Sequence, residues 1–391
     1  MMRRYSNNLS QLWLWGGTLV IVIWLVACEE EDAAIVEQDH ATFISALPED
    51  VQYPADNPYS LAKEELGRLL YYDPILSGTK DVACVSCHHP ALGYADARDF
   101  SRGVGANGLG QQRFGGLSTR RNAPTVINTA FNGIDNDGLY SPDTAPMFWD
   151  NRAGNLEEQA LLPMLSKEEM RGEAIPEAVI MDTLIQRLNA IPAYVAQFEA
   201  AFGNTAITQE HVLAAIATFE RGIVANNSRF DQYMRGNTQA LSSLEVQGMN
   251  AFIQVGCADC HSGPMFSDYE LHTIGVRDNI SPPDAGATNR FDFRTPTLRN
   301  LNLTAPYMHN GIHNTLEEVM EFYEEVGEGD DDQRNANVSE GQLDEEIRDL
   351  ELDDDHVAAI IAFLNTLNDD SFDKTVPESV PSGLPVGGNI E

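Results

Sequence analysis

Two short motifs carry the clearest chemical signal in the chain: CVSCH at Cys84–His88 and CADCH at Cys257–His261. The C-x-x-C-H spacing is typical of haem c attachment, because two thiols add to the haem vinyl groups and the adjacent histidine becomes the proximal iron ligand. A zinc site or short disulfides would give no reason for the trailing histidine. The sequence therefore predicts two covalent haem c groups. The residues that hold them are Cys84, Cys87 and His88 for the first haem, and Cys257, Cys260 and His261 for the second.

The remaining cysteine, Cys28, ends an apolar run that follows Arg3 and Arg4. A basic start and a short apolar stretch are typical of a signal peptide, and the closing letters LVAC resemble a bacterial lipobox. We predict a lipoprotein signal peptide over residues 1–27, a lipidated Cys28 and an acidic tether over residues 28–56. The alternatives are an uncleaved anchor, for which the run is short, and an ordinary signal peptide. In each case the rest of the chain is exported.

The composition limits the class of protein and its partners. The chain has 391 residues, of which 43% are hydrophobic, so it can form a packed core. Its 24 lysines and arginines stand against 60 acidic residues, a formal charge of -36. Phosphate groups would be repelled, which argues against nucleic acid and anionic lipid as partners. Basic or neutral partners stay compatible with the charge.

Helical patterns flank both motifs, whereas strand-like alternation is scarce. The helical segments are residues 61–71, 207–225, 241–256 and 354–367. Each motif is also followed by a related stretch, RNAPTVIN at 121–128 and RTPTLRN at 294–300. We therefore predict a mainly α fold of two cytochrome c-like domains, each with one covalent haem c. Their expected bounds are 57–225 and 226–370, followed by a flexible tail over 371–391.

Residues from about 57 to 370 resemble the bacterial di-haem cytochrome c peroxidase family, which includes the methylamine-utilisation protein MauG. The resemblance rests on both haem motifs and on three further segments. These are FWDNR at 148–152, RTPTLRN at 294–300 and LTAPYMHNG at 303–311. It implies that the N-terminal domain is peroxidatic and that the C-terminal domain transfers electrons.

The same resemblance implies roles for residues beyond the haem motifs. In the family, a tryptophan of the FWDNR segment lies between the haems and relays electrons, which points to Trp149. A distal Gln159 and Glu169 would lie over the first haem, with Pro163 lining the same pocket. A carboxylate there can move a proton from the near oxygen of peroxide to the far one. Glu168 is the rival of Glu169, and both also fit an ordinary solvated helix face.

The sixth positions of the two irons depart from the commonest family pattern. No histidine occurs between residues 90 and 105, so we expect the distal side of the first haem to be open or weakly held. Many members carry a methionine twelve residues beyond the glycine that is Gly311 here, whereas this chain and MauG-like members carry a tyrosine, Tyr323. A phenolate would stabilise higher iron oxidation states than a thioether. Met320 on the same helical stripe is a rival ligand, and Tyr323 as a packing residue is the other alternative.

Three residues match the calcium site that family members hold between their domains. They are Asn122, Thr304 and Pro306, which would offer an amide oxygen and backbone carbonyls, the hard ligands that calcium prefers. The alternative is that these residues hold the inter-haem loops without a metal. His309 is expected to be a hydrogen-bond partner near the second haem rather than an iron ligand.

These observations predict a lipid-anchored periplasmic enzyme that reduces hydrogen peroxide at the first haem. Its electrons would come from a small donor protein, a cytochrome c or a cupredoxin, or from a quinol pathway. The alternative is a MauG-like enzyme that oxidises a protein or organic substrate through a high-valent two-haem state. Val255 stands where MauG has the surface tryptophan that reaches its protein substrate, so MauG's own reaction is not supported. A non-catalytic electron-transfer cytochrome is the third hypothesis. Homodimers are common in the family, but no residue decides the oligomeric state.

Overall fold

The computed structural model describes residues 43–203, 206–348 and 350–391. The predicted signal peptide, Cys28 and the first part of the acidic tether lie outside these ranges. The described residues all belong to one compact unit. None of the helices in these ranges has the length and apolar character needed to cross a membrane.

The described part of the chain is mainly helical, as the sequence predicts. The α-helices are α1 Leu61–Tyr72, α2 Leu156–Leu165, α3 Glu177–Asn189, α4 Pro192–Phe202, α5 Gln209–Arg221, α6 Arg229–Met234, α7 Ser243–Gln254, α8 Cys257–Cys260, α9 Leu316–Gly327, α10 Glu345–Arg348 and α11 Asp354–Leu364. Two antiparallel hairpins pair β1 Ala106–Asn107 with β2 Phe114–Gly115, and β3 Leu271–His272 with β4 Phe293–Arg294. The predicted helical segments correspond to α1, α5, α7 and α11, and are confirmed.

Each of these four helices begins at a side chain that satisfies a free backbone amide of its first turn. Ser60, Thr208, Ser242 and Asp353 accept a hydrogen bond from the third helical residue of α1, α5, α7 and α11 respectively. Such capping contributes about 1 kcal/mol per helix. The first residue of each helix that flanks a haem motif is thus determined by the capping residue directly before it.

The first lobe, residues 57–225, is built around the crossing of α1 and α5. The helices approach so closely at Gly67 that a Cβ atom there would lie 1.9 Å from the backbone oxygen of Ala215. The apolar face of α1, with Leu66 and Leu70 fully buried, continues into a core that α2, α3 and α4 complete. This core backs the first haem motif, because Cys84 packs against it.

The second lobe, residues 226–370, repeats the arrangement with α7 and α11. A Cβ atom on Gly248 would lie 1.8 Å from the backbone oxygen of Ala359. Phe252, Phe266 and Phe363 are buried around this crossing and contact one another in tilted or edge-to-face geometry. The predicted boundary near residue 225 falls between α5 and α6.

The two related stretches that follow the haem motifs adopt the same local structure. Asn128 and Asn300 both lie in the left-handed region, with φ of 65° and 61°. Each side-chain oxygen accepts a hydrogen bond, at 2.7 Å, from the chain just beyond the last long helix of its own lobe. The donors are the backbone amides of Ala225 and Asp369. The duplication that the sequence suggests therefore extends to backbone conformation and hydrogen bonding.

The expectation of a flexible tail over residues 371–391 is wrong. Phe372 and Val380 are buried in a cluster with aromatic residues of the first lobe. The amide of Gly387 donates to the oxygen of Tyr72 at 2.8 Å, and the Ser86 hydroxyl donates to the oxygen of Gly387 at 2.8 Å. The segment crosses the first haem motif and is held there by two buried apolar side chains. It forms no helix or strand, because it is rich in proline and glycine.

The expectation of a loose acidic tether also fails for residues 43–56. Ile44 and Leu47 are buried, the former in the core of the second lobe. The amide of Leu47 donates to the buried carboxylate of Asp231 at 3.0 Å, and Asn226 donates to the oxygen of Pro48 at 2.7 Å. Two apolar side chains in an otherwise polar stretch are sufficient to hold residues 43–56 in place, because each is buried against the folded lobes.

Candidate active site

One continuous cavity of about 1020 Å³ contacts both haem motifs. It is lined by both cysteine pairs and by both histidines, which are Cys84, Cys87, His88, Cys257, Cys260 and His261. None of these four cysteines is joined to another in a disulfide. Burial raises the pKa of the Cys87 and Cys257 thiols to about 12, so both are uncharged.

Both motif histidines are held in the same orientation by a backbone carbonyl. Nδ1 of His88 lies 3.1 Å from the oxygen of Tyr94, and Nδ1 of His261 lies 3.0 Å from the oxygen of Phe266. Tyr94 and Phe266 adopt φ of 53° and 54°, which turns each carbonyl toward its ring. Burial lowers the pKa of both imidazoles. A neutral ring that donates from Nδ1 leaves Nε2 free to bind a metal, so these residues fit the proximal position of a haem.

The predicted distal residues line the same cavity and come from two adjoining elements. Gln159 and Pro163 lie on one face of α2, and Glu169 lies in the π-helical turn Lys167–Arg171 that follows it. Ser166 begins this turn by accepting a hydrogen bond from the amide of Glu169. Burial raises the pKa of the Glu169 carboxyl, and Arg152 offsets this only in part. A carboxyl with a raised pKa inside a cavity is suited to proton transfer.

The π-helical turn is fixed from outside by the segment after the first haem motif. The amide of Val104 donates to the oxygen of Glu169 at 3.0 Å. A Cβ atom on Gly103 would lie 2.1 Å from the oxygen of Glu168, so only glycine allows this approach. Glu168 also contacts the cavity but its side chain is exposed. The sequence alone left Glu168 and Glu169 as rivals, and burial favours Glu169.

Trp149 is anchored to both lobes. Its indole Nε1 donates to the oxygen of Asn122 at 3.0 Å, and its own carbonyl accepts from the amide of Arg294 at 2.7 Å. Asn122 and Arg294 belong to the two related stretches that follow the haem motifs. Trp149 therefore lines the cavity where the stretch 121–128 of the first lobe meets the stretch 294–300 of the second.

The rival residues for the second sixth-ligand position lie together on α9. Leu316, Val319, Met320 and Tyr323 all line the cavity, as their helical spacing predicts. Burial, with a smaller contribution from the nearby Cys257 and Cys260, raises the pKa of the Tyr323 phenol. Both candidates therefore face the second haem motif, and ligation by Tyr323 stays a prediction.

The three predicted calcium ligands also lie around the junction of the lobes. Asn122, Thr304 and Pro306 all contact the cavity. The Asn122 amide nitrogen donates to the oxygens of Arg98 at 2.7 Å and Pro306 at 3.2 Å. His309 is buried and stacks on Phe293 at 3.7 Å between ring centres, and burial lowers its pKa to about 3. A neutral His309 agrees with a packing role.

Three features of the cavity were not predicted from the sequence. Arg121 bridges Asp150 at 2.7 Å and Asp284 at 2.6 Å, joining the two lobes by charge. His272 lies between two carboxylates beside Cys260. Glu220 projects a buried carboxyl into the cavity. Only Glu220 left a signal in the sequence, since a charged residue occupies an apolar position of the α5 pattern.

A mainly helical fold with two C-x-x-C-H motifs on one cavity is typical of c-type cytochromes. Residues 61–239 match the family model described as di-haem cytochrome c peroxidase. The chain is 33% identical to the methylamine utilization protein MauG of Methylorubrum extorquens over 85% of each chain. It is 32% identical to the cytochrome c551 peroxidase of Nitrosomonas europaea, over 84% of this chain and 86% of that protein. The chain belongs to the di-haem cytochrome c peroxidase family, a family of oxidoreductases with haem c cofactors.

Solved structures agree with this assignment. A MauG-like protein associated with microbial copper homeostasis superposes with a TM-score of 0.67 at 28% identity, over 83% of this chain and 95% of that one. The di-haem peroxidase BthA of Burkholderia thailandensis shares the fold with a TM-score of 0.63 at 21% identity, over 84% of this chain and 90% of that one. The predicted family resemblance and the mainly α fold are thereby confirmed.

Proposed function

We propose that this protein is a di-haem c peroxidase that reduces hydrogen peroxide to water with electrons from a small redox protein. One observation carries the proposal: a half-buried carboxyl, an amide and the only described tryptophan line the same cavity as both haem motifs. These residues are Glu169, Gln159 and Trp149. Electron-transfer cytochromes have no need of a buried proton-transfer group beside the haem, whereas peroxide cleavage does.

Two haem c groups would be held by the two C-x-x-C-H motifs, with His88 and His261 as proximal ligands. When bound, the haems supply one-electron redox chemistry at iron. The reaction is H2O2 + 2 e⁻ + 2 H⁺ → 2 H2O. The chain's own part is to place the proton: Glu169 takes it from the near oxygen of peroxide and returns it to the far oxygen, which leaves as water. Gln159 orients the peroxide, and Pro163 limits the space beside it.

Trp149 would carry electrons from the second lobe to the first. The indole donates to the oxygen of Asn122 and the Arg294 amide donates to the backbone oxygen of Trp149, and together these bonds hold the residue at a fixed position, which keeps the transfer distance constant. A calcium site is proposed at the same junction of the lobes. Asn122, with the backbone oxygens of Thr304 and Pro306, would hold one calcium ion if the Asn122 amide turned its oxygen toward them. Such an ion would stiffen the loops that position Trp149.

The proposed location is the periplasm, with a lipid anchor at Cys28, and the proposed donor is a small cytochrome c or cupredoxin. The formal charge of -36 supports a donor with a basic contact face, because opposite charges speed encounter. This charge also argues against nucleic acid as a partner.

A MauG-like oxidation of a protein or organic substrate is the second candidate. The observation that favours it is Tyr323, a phenol on the cavity face of α9 beside the second haem motif. We expect Tyr323→Phe to change the absorption spectrum of the second haem, whereas Met320→Leu leaves it unchanged. The reverse result would identify Met320 as the ligand and remove the main support for this candidate.

Peroxide consumption by the fully oxidised and the half-reduced protein separates the two functions. The peroxidase proposal expects steady consumption only while a reduced donor protein is supplied, with two donors oxidised per peroxide. Oxidation of an added organic or protein substrate by the oxidised protein, with no donor needed, would instead support the MauG-like candidate. A protein that consumes peroxide in neither state would refute both.

A further inference from the structure

A second buried carboxyl lies in the cavity and has no part in the chemistry above. Glu220 is on α5, one turn after Ile216, and both side chains line the cavity. Glu220 is only 5% exposed, and its Oε2 atom has no hydrogen-bond partner among the described residues. A buried carboxyl oxygen without a partner is costly to the fold, so its presence calls for an explanation.

Burial outweighs the charges beside Glu220, since Arg221 lowers the pKa of its carboxyl and Glu157 raises it. The adjacent Arg221 is held by Glu157 of α2 through two hydrogen bonds, of 2.6 and 2.8 Å. The other titratable groups that face Glu220 are Tyr71 of α1 and Cys84 of the first haem motif, and its charge helps to raise the pKa of both. Covalent haem attachment would leave Cys84 without a titratable proton. Glu220 is thus the free carboxyl of the first haem pocket.

The internal duplication supplies a comparison for this position. Gly67 on α1 approaches Ala215 and Phe219 of α5, and Gly248 on α7 approaches Ala359 and Phe363 of α11 in the same way. One residue beyond each phenylalanine, the first lobe has Glu220 and the second lobe has Leu364, and both line the cavity. The helix crossing therefore accepts leucine at this position, so packing does not explain the carboxyl. It occurs only in the lobe that carries Glu169.

Burial of Glu220 favours its protonated form. Desolvation raises the pKa of the carboxyl to about 8, against an ordinary value of 4.5. A group that holds its proton near neutral pH in a low-dielectric pocket responds strongly to a change of charge nearby.

We propose that Glu220 exchanges one proton with the cavity whenever the first haem changes its charge. The positive charge of an oxidised haem would favour the carboxylate form of Glu220. When the haem gains an electron, that carboxylate takes up a proton and becomes the neutral acid. When the haem loses an electron, the acid releases that proton. The pocket then keeps a constant charge, and the step balances as one electron with one proton. Peroxide reduction consumes two protons beyond those that peroxide carries, so a proton held beside the haem serves that demand.

The inference rests on the proposed function only in that a haem is bound at Cys84–His88. The test is a spectroelectrochemical titration of the haem-loaded protein over a range of pH. We expect the potential of the first haem to fall as the pH rises, approaching the one-proton slope of about 59 mV per tenfold change in proton activity. Glu220→Gln, which keeps the shape of the side chain, and Glu220→Leu, which copies Leu364, should both abolish the slope.

Two controls are built into the molecule. The potential of the second haem should not change in either variant, and Glu168→Gln, which removes an exposed carboxylate beside the same cavity, should keep the wild-type slope. A protonated carboxyl band in the redox difference infrared spectrum should also disappear in both Glu220 variants. The inference is overturned by a flat wild-type potential, or by variants that keep the slope.

The titration uses no peroxide, so the two conclusions can fail separately. A protein that is inert toward peroxide but shows the Glu220-dependent slope would refute only the proposed function. An active peroxidase whose first-haem potential does not depend on Glu220 would refute only this inference.

Discussion

Two carboxyls in the first lobe have raised pKa values for the same physical reason but face different tasks. Glu169 lies in the π-helical turn after α2 near Arg152, and Glu220 lies in the last turn of α5 beside Arg221, which Glu157 engages. Burial raises the pKa of both, and a cation offsets it in part at each: Arg152 at Glu169 and Arg221 at Glu220. Groups of this kind concentrate at functional sites, and they separate into roles by their surroundings.

The first prediction concerns proton transfer. Glu169→Gln keeps the size of the side chain but cannot accept a proton, so we expect peroxide turnover to fall by roughly 100- to 10,000-fold. Steady-state oxidation of a reduced donor protein measures the change. Glu168→Gln is the matched control and should stay within about twofold of the wild type. Equal loss in both variants would mean that the electrostatic field of the turn matters, and not proton transfer by Glu169.

The second prediction concerns Glu220 and the pH dependence of stability. Its pKa in the folded protein is about 8, above the ordinary 4.5, so the unfolded chain releases this proton first as the pH rises. The free energy of unfolding therefore falls as the pH rises from 4.5 to about 8, and the contribution of Glu220 is constant above that range. Glu220→Gln removes the loss. Its free energy of unfolding, measured by urea titration, should match the wild type near pH 4.5 and exceed it at pH 8, by up to roughly 4 kcal/mol. A constant difference at all pH values would contradict the assignment.

At the scale of elements, each lobe depends on one helix crossing that a glycine permits. Gly67 and Gly248 allow backbone contact between α1 and α5 and between α7 and α11. The loops that hold Asn128 and Asn300 are then tied to the chain just beyond α5 and α11. Each helix crossing thus determines the position of the stretch, 121–128 or 294–300, that lines its side of the cavity. A change at either glycine should reach the haem pocket of its own lobe.

The third prediction tests these crossings. Gly67→Ala or Gly248→Ala would place a methyl group within 2 Å of a backbone oxygen, which can be relieved only by moving a helix. We expect each to lower the free energy of unfolding by about 3 kcal/mol, the upper end for overpacking. Gly341→Ala, where nothing lies within 4 Å, is the control and should change stability by less than about 0.5 kcal/mol. Equal effects at all three sites would refute the crossing argument.

At the scale of the whole molecule, the C-terminal segment closes the first lobe. Ser382 donates to the buried carboxylate of Asp73 at 2.7 Å, and Gly387 bonds Tyr72 and Ser86. Gly388 lies at φ 74°, and a Cβ atom there would be 2.3 Å from the oxygen of Asp81. The segment therefore shields the chain on both sides of Cys84 from solvent.

The fourth prediction follows from that closure. Removal of residues 380–391 should increase amide hydrogen exchange at residues 72–88, because the segment that covers them and bonds the carbonyls of Tyr72 and Asp81 is lost, which makes local opening easier. Exchange in α7 and α11 should stay unchanged, since the segment packs on the first lobe. Deletion of the exposed Glu391 alone is the control. Unchanged exchange at residues 72–88 would show that the segment does not protect the haem motif.

Local patterns in the sequence were sufficient for the main helices and for the prediction of two haem-attachment motifs, which the structure brings to one cavity. The C-x-x-C-H motif holds both thiols and the histidine within five residues. The helices α1, α5, α7 and α11 likewise have their capping residue and apolar face within one short segment of the chain. The family segments also located Trp149, Gln159 and Glu169 in one cavity. These features could be predicted because each depends on residues that are near one another in the chain.

What only the tertiary structure decided involves contacts between distant residues. The segments at 43–56 and 371–391 look unstructured in sequence, and they are ordered because a few buried side chains find sites in the folded lobes. Burial singled out Glu169 over Glu168, since helical spacing cannot say which carboxyl a neighbouring loop covers. The sequence marks Glu220 only as a charged residue at an apolar position of α5, whereas the folded structure shows that its carboxyl is buried in the cavity. The free energy of a buried charge depends on everything packed around it and not on its neighbours in the chain.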